Sequence, residues 1–211
     1  MSKLNVDTIE PEGASTTLTL GASGDTVDVP SGATLAVASG ATIDLTGATK
    51  TGFPAGGLTE ADSWRLTTSF TGDADPVINW ERDDTDANGL LGTGMSESSG
   101  IWTFPSTGYW MVHFNARQYL QGEDRGVNLM IYVTTDNSTY NLATKGSAFV
   151  SQTSGDNTMV GQIHVAKLMD VTSTSLVKVK FTVDTTNALT TTQSDTDINC
   201  TYVMFTKLAD T

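Results

Sequence analysis

Cationic side chains are scarce in this chain: 11 Lys and Arg stand against 24 Asp and Glu in 211 residues, a net charge of −13. Phosphate backbones attract clustered Lys and Arg, and with no such cluster direct nucleic-acid binding is not expected. The single cysteine, Cys200, excludes an intrachain disulfide, and its apolar, strand-like setting marks a buried structural thiol. No apolar run approaches the roughly eighteen residues of a membrane span, and no secretory apolar segment is present. Membrane insertion and export by a signal peptide are therefore not expected. A sustained helical period of about 3.6 residues is missing throughout.

Motifs that carry chemistry are equally sparse. There is no Gly-x-Ser-x-Gly, no phosphate loop and no dinucleotide fingerprint. The two histidines, His113 and His164, lie in strand-like text without Cys, His or Glu at zinc-ligand spacing, and read as structural. Asp83-Asp84-Thr85-Asp86-Ala87-Asn88 offers oxygen ligands but lacks the Gly and closing Glu of an EF-hand loop, so it reads as a solvated turn. No carboxylate pair is singled out by spacing for glycoside hydrolysis. The expectation is a non-enzyme with no catalytic residues, no cofactor and no metal.

What the chain does contain is unevenly distributed. All four Trp, all five Tyr and six of the seven Phe lie after residue 60. The front carries Thr17-Leu18-Thr19-Leu20, Thr26-Val27-Asp28-Val29, Thr34-Leu35-Ala36-Val37 and Thr42-Ile43-Asp44-Leu45. Gly/Ser/Pro turns such as Pro30-Ser31-Gly32-Ala33 separate the last three. Strands this short bury no core alone, so their apolar edges need neighbouring coils or other chains. The organisation expected is a leader over 1–14, a β-repeat shaft over 15–50, a Gly/Pro-rich hinge over 51–60 and a globular knob over 61–211.

Within the knob the text is strand and turn. Candidates are Trp64–Phe70, Pro76–Trp80, Tyr109–Ala116, Val127–Val133, Met159–Leu168, Leu176–Val183 and Ile198–Leu208. In Tyr109–Ala116, Trp110, Val112, Phe114 and Ala116 alternate with Tyr109, Met111, His113 and Asn115. Many short strands divided by Gly, Pro, Asn and Asp make an all-β sandwich or jelly roll. Two strands are apolar on both faces, since Tyr109 and Met111 back Trp110 and Val112, while Tyr202 and Met204 back Val203 and Phe205. One sandwich core needs only one such face. Either a loop or another subunit covers the second, and the upstream shaft favours a subunit. Tyr109, Met111, Tyr202 and Met204 are the expected contacts of a homotrimer. Tyr119, Arg125 and Tyr140 lie in turn-like text and are the candidate ligand-contact residues, suited to stacking on a host surface glycan.

The run Gly100-Ile101-Trp102-Thr103-Phe104-Pro105-Ser106-Thr107-Gly108-Tyr109-Trp110-Met111-Val112-His113-Phe114 resembles the C1q/tumour-necrosis-factor superfamily of trimeric jelly rolls. An apolar strand, a Pro, a turn ending in Gly and an aromatic strand follow in the family's order. Thr201-Tyr202-Val203-Met204-Phe205-Thr206-Lys207-Leu208 is similar to its last strand, which runs near the trimer axis. The resemblance implies a jelly roll and threefold assembly over 61–211. No collagen stalk precedes it, and no calcium motif carries over.

The front is similar to N-terminal regions of structural proteins from marine tailed phages. Leu4-Asn5-Val6-Asp7-Thr8-Ile9 and Gly24-Asp25-Thr26-Val27-Asp28-Val29-Pro30-Ser31-Gly32-Ala33-Thr34-Leu35 carry that resemblance. It implies a virion fibre docked on a phage capsid or tail protein through its N-terminus, serving host contact or capsid decoration. The alternative is a soluble carbohydrate-binding module outside any virion.

Overall fold

The computed structural model describes residues 29, 31, 33, 34, 36, 37, 39–42, 57–86, 89–120, 122–150 and 159–211. The chain divides into two compact units, Met1–Phe53 and Pro54–Thr211. In the first, the described residues between Val29 and Thr42 are exposed and belong to no strand. The rest of the expected shaft and leader lies outside the described residues.

The second unit is all-β, with no helix among its described residues. Its strands are β1 (Ala61–Leu66), β2 (Phe70–Thr71), β3 (Trp80–Arg82), β4 (Ser96–Ser98), β5 (Ile101–Thr103) and β6 (Gly108–Leu120). They continue with β7 (Asp124–Thr134), β8 (Asn141–Val150), β9 (Met159–Val171), β10 (Lys178–Thr185), β11 (Thr191–Thr192) and β12 (Tyr202–Ala209). The larger sheet runs β2-β11-β6-β12-β1-β3, with β9 on the other edge of β6; the smaller runs β4-β5-β10-β7-β8. Every pairing is antiparallel.

Alternation decides which side chains meet between the sheets. From β6, Trp110, Val112, Phe114 and Ala116 are fully buried, as the sequence requires. Val127, Leu129 and Ile131 of β7, Val179, Phe181 and Val183 of β10, and Val203 and Phe205 of β12 join them. The centre is aromatic: Trp102 meets Trp64 edge-on at 5.0 Å and Phe205 at 5.0 Å, and Phe114 lies 5.0 Å from Phe181. Edge-to-face and tilted pairs of this kind add to the burial of large apolar surface.

The turn into β6 is set by backbone shape. Gly108 adopts φ +137°, and a Cβ there would collide with the Ala209 carbonyl oxygen and the Lys207 side chain. The expected Pro-to-Gly join therefore has a steric reason.

Several element boundaries differ from expectation. Trp64–Phe70 is interrupted after Leu66, and only Trp80 of Pro76–Trp80 enters a strand. The closing strand begins at Tyr202, because Asp195 Oδ1 accepts from the Asp197 and Ile198 amides and curls the chain before it. Strand β8 has no counterpart in the sequence reading. It pairs only with β7 on the smaller sheet's path, and its small and polar residues give little contrast between faces.

Candidate functional site

The outward face of the larger sheet is where the expected contacts converge. In the β6–β12 register Met204 lies opposite His113, Thr206 opposite Met111 and Tyr202 opposite Asn115. Tyr109 sits at the end of the same face, opposite Ala209. Strand β9 extends the face with Leu168 opposite Met111, Ala166 opposite His113 and Val160 opposite Tyr119. The four residues expected at a trimer contact thus form one patch, with Tyr109 and Met204 each 41% exposed. Leu168 at 51% and Leu208 at 50% enlarge it, while Val160 at 49% lies apart, beyond Gln162 and Arg117; sequence reasoning had singled out none of the three. Among the described residues no loop covers the patch. Contiguous apolar surface of this kind marks an interaction site.

The opposite outward face, on the smaller sheet, is built differently. Lys178 Nζ donates to Thr103 Oγ1 at 2.7 Å, Asn128 Nδ2 donates to Asp184 Oδ2 at 2.9 Å, and Ser147 Oγ donates to Asn128 Oδ1 at 2.6 Å. Lys180 Nζ reaches Asp75 Oδ1 at 2.6 Å and lies 5.2 Å and 5.3 Å from the Tyr132 and Tyr140 ring centres. That face is mostly polar and cross-linked within itself, with Leu142, beside Tyr132, its exposed apolar residue.

Tyr140 is therefore half-buried beside Lys180 rather than a free stacking ring, and burial pushes its phenol pKa up. Tyr119 belongs to no loop: it lies inside β6, on the outward face between Val160 and Thr191. Strand β6 continues to Leu120, beyond the expected end at Ala116, which accounts for the difference. Arg125 is the second residue of β7, exposed and paired with Glu123 Oε1 at 3.0 Å.

Arg125 and Glu123 line two adjoining clefts at one end of the sandwich. One, of 490 Å³, is completed by Thr186, Asn187 and Ala188; the other, of 250 Å³, by Asp124, Phe149 and Val150. Phe149 is 70% exposed there. The floor is organised by Asp124, which is buried and accepts from the Thr186 and Thr190 hydroxyls and from the Gly126 and Asn187 amides. Burial alone would raise the Asp124 pKa, but these donors outweigh it and hold the carboxyl below its ordinary range.

The acidic run after β3 is also more than a solvated turn. Arg65 is buried beneath it and donates to Glu81 Oε1 (2.7 Å), Asp83 Oδ1 (2.9 Å), Asp84 Oδ1 (2.7 Å) and Thr85 Oγ1 (2.7 Å). Burial opposes the charge of Arg65, yet the bond to Glu81 and the surrounding carboxylates raise its pKa. No group of three or more His, Cys, Asp and Glu at metal-binding distances occurs among the described residues. No helix there is long and apolar enough to cross a membrane.

No family model matches the chain, and no curated protein matches it. Among solved structures, murine APRIL at pH 5.0 superposes with a TM-score of 0.51 at 9% identity, covering 71% of this chain and 98% of that one. The structure of Eiger TNF from S. frugiperda gives 0.52 at 15% identity, covering 73% of this chain and 95% of that one. At such identities the likeness concerns architecture. The aromatic-cored unit has the fold of a C1q/tumour-necrosis-factor-like jelly roll.

Proposed function

We propose that this chain is a non-enzymatic phage virion protein, a homotrimeric fibre whose jelly roll forms the knob and whose N-terminal region joins it to a capsid or tail protein. The observation that carries the reading is the apolar outward face of the larger sheet, on which Tyr109, Met111, Tyr202 and Met204 fall together. A second copy offers the same surface by symmetry, and a threefold arrangement hides an axial side chain behind two neighbours. The Thr-rich repeats upstream suit a shaft in which each chain covers the apolar edges of the others.

The clefts around Arg125 and Phe149 favour host contact over capsid decoration. An exposed ring beside a guanidinium, a carboxylate and an amide can stack on a sugar and hydrogen-bond its hydroxyls. The same feature would serve a soluble carbohydrate-binding module, but such a module has no use for a repeat shaft. Labelled antibody against residues 61–211 on intact particles tests the reading. Signal at the tail end supports a tail fibre and signal over the shell a head fibre; unlabelled particles refute the virion role.

A further inference from the structure

The chain has only two histidines, and the fold places them side by side. His113 of β6 and His164 of β9 are 51 residues apart in sequence, yet His113 Nδ1 and His164 Nε2 are 3.0 Å apart. The ring centres are separated by 5.2 Å and the planes inclined by 21°. That centre separation is close to the nitrogen–nitrogen distance plus two ring radii. The rings therefore meet edge to edge, each presenting one nitrogen to the other. His164 is exposed and His113 half-buried, both on the outward face of the larger sheet.

We propose that His113 and His164 form a binding site for one divalent transition-metal ion per chain, of the class that favours imidazole: Cu²⁺, Ni²⁺ or Zn²⁺. Two facing ring nitrogens can share one proton, or they can both turn lone pairs toward a cation. With metal–nitrogen bonds of about 2.0–2.1 Å, nitrogens this far apart subtend nearly a right angle at the metal. That angle suits the tetragonal geometry of Cu²⁺ and Ni²⁺ best. Binding requires that the ring donating the shared proton carry it on its far nitrogen instead, so no proton is released overall. The lone pairs face each other along the nitrogen–nitrogen line, so each ring must swing by about 45°, through both side-chain torsions, to aim at an ion beside that line. Water, or a group from a second copy, fills the other positions.

Both ligands come from one chain, although the pair lies on the face proposed above as the trimer contact, where His113 stands opposite Met204. Titration of the full-length protein with NiCl₂, followed by calorimetry, is expected to saturate at one ion per chain. His113→Gln or His164→Gln should weaken binding at least tenfold, and the double variant, which leaves the chain without imidazole, should abolish it. The Cu²⁺ form should show electron paramagnetic resonance splitting from two nitrogens, and from one or none in the variants. Binding that persists unchanged in the double variant, or no binding by the native protein at millimolar Ni²⁺, overturns the proposal. Assembly mass measured on the same samples keeps the two ideas apart. A trimer without metal affinity removes the site alone, while a monomer that binds one Ni²⁺ removes the assembly alone.

Discussion

The two outward faces of the sandwich have opposite characters, although both belong to antiparallel sheets packed on one core. The smaller sheet shows water Lys178, Asn128, Asp184 and Ser147, already joined by hydrogen bonds along the face. The larger shows Tyr109, Met111, Met204 and Leu168 together, with His113, His164, Gln162 and Asp170 around them. An antiparallel sheet with one solvated face normally alternates apolar-in and polar-out, and the smaller sheet obeys except at Leu142. The larger keeps the inward half of the rule and breaks the outward half. Exposed aromatic, Met and Leu side chains stabilise a free monomer by little and cost solubility. Their concentration on one face is intelligible as the core of an interface.

The largest effect should come from placing a charge at the centre of the apolar face. A carboxylate in Tyr202→Asp would be buried without a cation, at a cost of roughly 3–5 kcal/mol per chain. Mass measurement in solution should then find single chains, where three are expected for the native protein. A native protein that is itself a monodisperse monomer would remove the argument for the contact.

Inward and outward residues of one strand should also respond differently. Phe114 is fully buried between Trp80 and Phe181, so Phe114→Ala should cost about 3–5 kcal/mol of folding stability. Met111, three positions earlier and facing out, should cost the isolated chain only about 0.5 kcal/mol when changed to Ala, with the loss appearing in assembly. Denaturant unfolding below and above the assembly concentration separates the two. Equal losses at both sites in monomers would show that the outward face is covered within the chain.

How much of this was legible in sequence follows from the kind of pattern each part leaves. Period-two alternation in β6, β7, β10 and β12 set the core residues, because burial on one face constrains every second side chain. The shared outward face of Tyr109, Met111, Tyr202 and Met204 was legible for the same reason: they are apolar where alternation calls for polar. Strand β8 left no such trace, since small and polar residues on an edge answer to neither face. Long-range cross-strand contacts leave none either. The meeting of His113 with His164, and of Arg65 with Asp83, depends on register between distant segments and not on spacing along the chain. Leu168 and Val160 were missed because β9 was read only for its inward Ile163 and Val165.

A moderate effect is expected at the cleft end. Asp124→Asn removes a carboxylate that accepts four donors, and charge-assisted bonds of this kind contribute about 1.5–3 kcal/mol each before relaxation. Because folding depresses the Asp124 pKa, its contribution is fully present above the ordinary Asp value of 3.8 and lost as pH falls through the lower folded value. Acid titration of stability should therefore be shallower for Asp124→Asn than for the native protein over that window. Parallel titrations would show that Asp124 does not organise the 186–190 loop.

The smallest effect belongs to the polar face and serves as its control. Lys180 touches Asp75 and lies over Tyr132 and Tyr140, a partly exposed arrangement in which the ring contacts contribute on the order of 0.5–1 kcal/mol. Lys180→Met keeps the apolar stem and removes the charge, so stability should fall by about that amount and the assembly mass should not move. Reversing the sign in Lys180→Glu sharpens the contrast, because a carboxylate there repels Asp75 within the chain, whose own carboxylate is 55% exposed. If Lys180→Glu dissociates the assembly while Tyr202→Asp leaves it intact, subunits meet through the smaller sheet and the apolar face must have another partner.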